Sequence, residues 1–206
     1  MFKRLFDFSV SFFAIILLSP IILVVSILVR KNLGSPVIFT QIRPGVNGVP
    51  FKMFKFRTMM DAKNKEIESL SDSVRLTPFG CKLRALSLDE LPGLLNVIKG
   101  DMSLVGPRPL LTRYYKFYTN REQVRHTVRP GVTGWAQING RNTLNWNDRL
   151  EMDVWYVENK SFLLDLKIIL LTIKKVIIRE GVVVDAHSTM LNLDEERAQG
   201  QNNNDH

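Results

Sequence analysis

The sequence predicts an α+β protein: an apolar N-terminal membrane helix, a β-hairpin and a mainly helical, basic globular domain. Three observations carry this prediction. Phe8 to Val29 is a run of 22 residues without a charge. Residues 35 to 60 alternate in strand fashion around turn-forming residues. Apolar positions then recur at helical spacing over Leu83–Lys99, Trp146–Glu158 and Phe162–Arg179. The predicted boundaries are 1–31 for the membrane segment, 32–185 for the globular domain and 186–206 for a polar, disordered tail.

At about 1.5 Å rise per residue, the uncharged run makes about 33 Å of helix, enough to cross a hydrocarbon core. It is too long for a secretory signal, and no small-x-small cleavage site follows it. Two topologies remain open on these residues. A single spanning helix is the simplest. However, Lys3 and Arg4 flank one end and Arg30 and Lys31 the other, and positive charge prefers the cytoplasm at both. Ser19-Pro20 lies near the middle, where Pro20 has no N–H for the carbonyl of Ile16. A hydroxyl such as Ser19 can satisfy freed backbone there and let the helix turn back.

In the hairpin, Val37, Phe39 and Gln41 alternate with Ile38 and Thr40, and Asn47-Gly48 supplies the turn. The return run from Phe51 to Met59 interleaves basic and aromatic residues. It reads either as a strand with one face solvated or as a single-stranded nucleic-acid platform. Residues 61 to 75 are polar, a loop or short helix. Leu83 to Lys99 reads as mostly helical, stopped by Gly100. Over Phe162–Arg179, Phe162, Leu163, Leu166, Ile169, Leu170, Ile173, Val176 and Ile177 form an apolar half beside a lysine-rich one. That pattern suits a membrane interface, and also a core-facing helix.

The 206 residues are 45% apolar and 23% charged, which excludes a disordered chain. A net charge of +8 points to an anionic partner: nucleic acid, a phosphorylated small molecule or a lipid surface. The single cysteine, Cys81, excludes an internal disulfide framework, and the three histidines match no zinc spacing. The chemistry must rest on carboxylates, arginines and lysines.

Ser87-Leu-Asp89-Glu90 admits two readings. It is a capping box, with Ser87 as N-cap and Glu90 three residues on, although Pro92 would then strain the first turns. It is also a pair of adjacent carboxylates, about 100° apart on a helix, able to take different tasks. Mg²⁺ favours one or two carboxylates plus phosphate oxygens. Arg108, held between two prolines, presents a stiff guanidinium fork suited to phosphate. Between Ser103 and Arg141 there are seven positive residues and one negative, Glu122. Arg129-Pro-Gly131 and Thr133-Gly134 add turns whose N–H groups can approach an anion.

Together, Lys3-Arg4 before the apolar run, Ser19-Pro20, Phe54-Lys-Phe-Arg-Thr-Met59, Ser87-Leu-Asp-Glu-Leu-Pro92, Lys99-Gly-Asp-Met-Ser103, Gly106-Pro-Arg-Pro109 and Arg129-Pro-Gly-Val-Thr-Gly134 resemble one family. It is that of the bacterial sugar transferases, in particular the small, monotopic, PglC-like phosphoglycosyl transferases. The resemblance runs from Lys3 to about Val184. It implies transfer of a phosphosugar from a UDP-sugar to polyprenol phosphate, with UMP released, at the cytoplasmic face of the bacterial inner membrane. It implies Asp89 as the nucleophile forming an aspartyl-phosphosugar, Glu90 with Asp89 as Mg²⁺ ligands, and Arg108 at phosphate. Lys55, Arg57, Arg84 and Arg141 follow as substrate-binding candidates by motif position and charge. It also implies a re-entrant helix-break-helix hinged at Ser19-Pro20, with Lys3 and Arg4 at the membrane interface among inner-membrane lipids. Downstream glycosyltransferases are implied partners and nucleic acid is not. By analogy with the minimal members, the sugar is an N-acetylated amino sugar. Trp135 departs from the aliphatic residue usual after the Thr-Gly pair. The rival classes are a membrane-anchored nucleic-acid binder, and an adaptor in which Asp89-Glu90 only caps a helix.

Overall fold

Helix α1 (Phe2–Leu33) runs through Ser19-Pro20 without interruption. The computed structural model describes residues 2–60, 75–140, 144–178 and 191–202. The expected helix-break-helix is therefore a single helix, for a local reason. Ser19 Oγ donates to the Ile16 carbonyl at 2.7 Å, the carbonyl that Pro20 cannot serve. By length and composition α1 can cross a membrane. Both of its ends nevertheless contact the globular unit. Arg4 donates to the carbonyls of Val97 and Ile98, Lys3 pairs with Asp165 at 2.6 Å, and Ser103 Oγ donates to Asp7 at 2.6 Å. At the other end Val25 and Val29 pack with Phe56 and Leu83.

Strands β1 (Ile38–Pro44) and β2 (Pro50–Phe56) form the predicted hairpin, with Ile38 opposite Phe56 and Pro44 opposite Pro50. Asn47 and Gly48 take the left-handed conformations (φ 53° and 76°) that the turn requires. On β2, Pro50 and Lys52 are exposed while Met53 and Phe56 are buried, so the strand is solvated on one face toward the turn, as the half-solvated reading expects. Met53 enters the main core with Leu94, Val97, Met102, Val105, Tyr156 and Ile168, while Phe56 faces α1. The proposed boundary of the polar stretch at 61–75 lies almost wholly outside the described residues.

The single helix expected over Leu83–Lys99 is three pieces: α2 (Pro78–Ala85), a 3-10 turn at Leu88–Glu90, and α3 (Gly93–Lys99). Ser87 sits at φ 55° and Pro92 stands immediately before α3, so the chain reorients between them. Gly100 ends α3 in a left-handed cap, as expected. Buried Asn96 on α3 accepts from the Phe54 N–H at 2.9 Å and donates to the Lys52 carbonyl at 2.7 Å. This pins β2 to α3 and fixes where Lys55 emerges.

Strands β3 (Ser103–Val105) and β4 (Gly131–Thr133) pair in parallel. At one of the turns expected to offer N–H groups to an anion, that of Gly131, the N–H is used within the fold. Gly131 N donates to the Pro107 carbonyl, and the Pro130 and Thr133 carbonyls accept from Ser103 N and Gly106 N. A Cβ on Gly131 would lie 2.2 Å from Gly106 N, so the two glycine motifs are kept bare for close backbone packing.

The remaining helices are α4 (Asn120–Gln123), α5 (Trp135–Asn139), α6 (Trp146–Asn159, capped by Asn145), α7 (Phe162–Ile178) and α8 (Leu193–Asn202). α7 turns Ile168 (0% exposed), Asp165 and Thr172 toward the protein, while Leu163 and Ile177 stay 77% and 74% exposed. Asp165 is tolerated inside because it pairs with Lys3 and accepts from Tyr156 Oη at 2.6 Å.

The disordered tail expected at 186–206 is corrected for its described part. Leu193 is fully buried among Leu110, Tyr114, Trp146 and Leu150. Arg197 pairs with Glu122 at 2.6 Å, and Trp146 Nε1 donates to the Leu191 carbonyl at 2.9 Å. One apolar residue in a polar stretch anchors the helix, a contact that composition does not reveal.

Candidate active site

A cavity of about 880 Å³ opens between α1, α7, the hairpin and the turn at Leu88–Glu90. Its apolar wall includes Val10, Ala14 and Leu18 of α1 with Ile169, Ile173 and Val176 of α7. Its polar wall contains Lys55, Arg57, Arg84, Asp89, Glu90 and Arg108, which are all six of the predicted catalytic and substrate-binding residues other than Arg141. Arg141 lies outside the described residues.

The sequence places Asp89 and Glu90 side by side, and the fold gives them different surroundings. Glu90 Oε1 accepts from Arg108 Nη2 at 2.6 Å and from Lys55 Nζ at 2.9 Å. Burial pushes the Glu90 carboxyl up, but Arg108 and Lys55 outweigh it and hold the group well below the usual carboxylate range. Asp89 is 7% exposed, and its nearest cation is Lys55 at 3.9 Å. Among the described residues its carboxylate makes no hydrogen bond. Burial pushes the Asp89 carboxyl above its ordinary value, against the pull of Lys55. One carboxylate is thus committed to two cations, while its neighbour lines the cavity without a hydrogen bond among the described residues.

The capping reading of this segment is overturned. Ser87 stands before the turn in a left-handed conformation and makes no side-chain cap bond, and the Glu90 carboxylate goes to Lys55 and Arg108 instead. The local sequence has the composition of a capping box, but the partners that Glu90 finds come from β2 and the Pro107–Pro109 segment.

Arg108 is fixed from behind. Arg125, buried and paired with Asp153 at 2.7 Å, donates to the Arg108 carbonyl at 2.7 Å. Arg84 Nε donates to Thr58 Oγ1 at 3.1 Å at the cavity edge. The other basic residues of 103–141 disperse rather than gather. Arg113 pairs with Asp194, Arg121 with Glu151 and Glu158, and Arg129 donates to the Gly100 carbonyl. Arg43 and Arg149 also line the cavity, and the sequence reading did not single them out. The signal available for Arg43 was its place on the hairpin strand, sharing one strand face with Gln41 and just before Pro44-Gly45. Ser19 and Pro20, expected as a membrane hinge, lie inside the uninterrupted α1, and Lys3 and Arg4, expected at the membrane interface, bond to the globular unit.

An apolar helix, a hairpin clamped on a short helix, and a carboxylate pair beside a proline-braced arginine define a membrane-associated group-transfer site. Residues 1–179 match the family described as "Bacterial sugar transferase", and the chain belongs to that family. It is 54% identical over 187 residues to an uncharacterized sugar transferase, EpsL, of Bacillus subtilis, covering 91% of this chain and 93% of that one. It is 45% identical over 184 residues to a UDP-glucose:undecaprenyl-phosphate glucose-1-phosphate transferase of Klebsiella pneumoniae, covering 84% of this chain and 40% of that longer protein. It is 39% identical over 196 residues to the exopolysaccharide production protein ExoY of Sinorhizobium fredii, covering 87% of each.

Proposed function

We propose that the protein transfers a sugar 1-phosphate from a UDP-sugar to polyprenol phosphate through a covalent bond to Asp89. The observation that carries this reading is the division of labour in the carboxylate pair: Glu90 is bound by Lys55 and Arg108, while Asp89 faces the cavity with no hydrogen bond among the described residues. A carboxylate oxygen of Asp89 attacks the β-phosphorus. The bond from that phosphorus to the bridging oxygen breaks, and UMP leaves with the oxygen and its electron pair. An oxygen of polyprenol phosphate then attacks the same phosphorus. The Asp89–phosphorus bond breaks and the carboxylate is regenerated. Lys55, Arg57, Arg84 and Arg108 counter the charge that would repel a carboxylate from a diphosphate.

The donor set suits Mg²⁺, since it offers adjacent carboxylates and lacks nitrogen or sulfur ligands. Glu90 with Asp89 would hold the ion. When bound, it would offset phosphate charge. Among the described residues no group of three or more His, Cys, Asp or Glu could hold a metal by itself. Phosphate oxygens of the nucleotide would complete the coordination.

The cavity's two walls suit the two substrates, with the polar one for the nucleotide and the apolar one for the lipid. Contacts from both ends of α1 to one globular unit support a re-entrant, monotopic arrangement on the cytoplasmic face, as do positive flanks at both ends. The outward apolar side chains of α7 support seating in the interface. Relatives named for their substrate transfer glucose 1-phosphate, which favours UDP-glucose over the N-acetylated amino sugar. The test omits the lipid. With UDP-sugar and Mg²⁺ alone, UMP release should stop near one equivalent of enzyme, and mass spectrometry should find the phosphosugar on Asp89. Release of no UMP from any of a panel of UDP-hexoses and UDP-N-acetylhexosamines, with or without lipid, would refute the reading.

A further inference from the structure

The cations of the cavity are unequally satisfied. Arg108 is matched by Glu90. Arg43, near the end of β1, is not matched in this way. Its Nη2 donates to Gln41 Oε1 at 2.6 Å, its Nε is buried without a hydrogen-bond partner, and it forms no ion pair among the described residues. The adjacent Pro44 shares a small void with Pro107, Arg108 and Pro109, so β1 brings Arg43 up against the segment that carries Arg108. Burial, followed by the repulsion of Arg108, lowers the Arg43 guanidinium to about 10. A partly buried guanidinium without a counter-charge destabilises the fold that holds it, unless an anion joins it.

We infer that Arg43 forms an anion subsite for a phosphate group, distinct from the Glu90–Arg108 pair. The inference deepens the reading of phosphosugar transfer, which supplies two sources for that phosphate: the nucleotide diphosphate of the donor and the headgroup of the lipid acceptor. The chemistry of the subsite is the same for either. The planar guanidinium fork of Arg43, on the cavity wall, suits tetrahedral phosphate oxygens. A buried structural arginine such as Arg125 is matched by a carboxylate, Asp153, whereas Arg43 has an amide oxygen and no ion pair among the described residues.

The experiment measures inorganic pyrophosphate binding to the detergent-solubilised full chain by calorimetry, together with the thermal unfolding midpoint. Arg43→Gln should weaken pyrophosphate about tenfold or more, the loss of one charge-assisted contact. Its midpoint without anion should equal or exceed that of the wild type, because an unmatched charge has been removed. Arg43→Lys should fall between the two in affinity. Pyrophosphate affinity within twofold of wild type in Arg43→Gln would overturn the inference, whatever the midpoint does. Two further arms assign the source. Slower single-turnover UMP release without lipid assigns the subsite to the donor. An unchanged UMP burst with a raised KM for polyprenol phosphate assigns it to the acceptor. Failure of the wild type to release UMP would refute phosphosugar transfer and leave the pyrophosphate result standing.

Discussion

Arg108 Nη2 and Glu90 Oε1 meet at 2.6 Å although 18 positions separate them in the chain. The contact joins the proline-braced segment to the carboxylate pair and, through the same oxygen, to Lys55 of β2. Arg108→Lys keeps the charge and loses the fork, so it cannot hold Glu90 and reach a phosphate oxygen with the same geometry. Turnover should fall at least about tenfold, the scale of one charge-assisted hydrogen bond. Steady-state UMP release checks this, and near-normal turnover would reduce Arg108 to a general charge.

Asp89→Asn separates catalysis from support of the fold. Folding raises the Asp89 pKa above its ordinary 3.8. A group shifted this way contributes its stability below the unfolded pKa and loses it as pH rises through the folded value. At pH 7 the wild type therefore bears a desolvated charge that asparagine lacks. The variant should unfold at the same temperature or higher, while turnover falls by orders of magnitude. A drop in midpoint with turnover kept would return Asp89 to a supporting role.

Glu90 carries the opposite sign. Its folded pKa lies below the ordinary 4.5, because Arg108 and Lys55 overcome the effect of burial. Its contribution is present above about pH 4.5 and is lost as pH falls toward the folded value. Acid titrations of unfolding should therefore slope less steeply below pH 4.5 in Glu90→Gln than in wild type. The same variant should require more Mg²⁺ for activity, since it removes an anionic ligand. Parallel acid slopes for the two proteins would contradict the electrostatic account.

Pro20→Ala restores an N–H to the Ile16 carbonyl that Ser19 now serves. The variant should favour a straighter, spanning α1. In the wild type, tags at the N-terminus and the tail should both be protected in intact spheroplasts. In Pro20→Ala the fraction with one tag exposed should rise. Periplasmic exposure of either tag in the wild type would rule out the re-entrant arrangement.

Leu193→Ala tests whether α8 is part of the folded unit. Leu193 is fully buried beside Leu110, which stands two residues from Arg108. Removing it should cost about 2–5 kcal/mol, the range for a buried leucine left as a cavity. Chemical denaturation measures this directly. A loss near zero would mean that the tail does not dock in solution.

The elements legible in the sequence are those set by interactions over a few residues. The uncharged run, the Asn47-Gly48 turn, the stop at Gly100 and the start of α6 after Asn145 follow from hydrophobicity, left-handed backbone tolerance and side-chain capping. The carboxylate pair and Arg108 were legible as well, because paired carboxylates and a proline-braced arginine are uncommon combinations with few structural uses. Other features depended on residues distant in the chain. The division of Leu83–Lys99 rests on Ser87 in a left-handed turn, a strain kept because Glu90 thereby reaches Lys55 and Arg108. The side of α7 that meets the protein was ambiguous by pattern, since Asp165 is buried only through Lys3 and Tyr156. Arg43 looked like one hairpin residue among several, and only the fold sets it against Arg108 with no ion pair among the described residues. Periodicity and turn chemistry act along the chain, whereas charge pairing and burial depend on what the finished packing brings together.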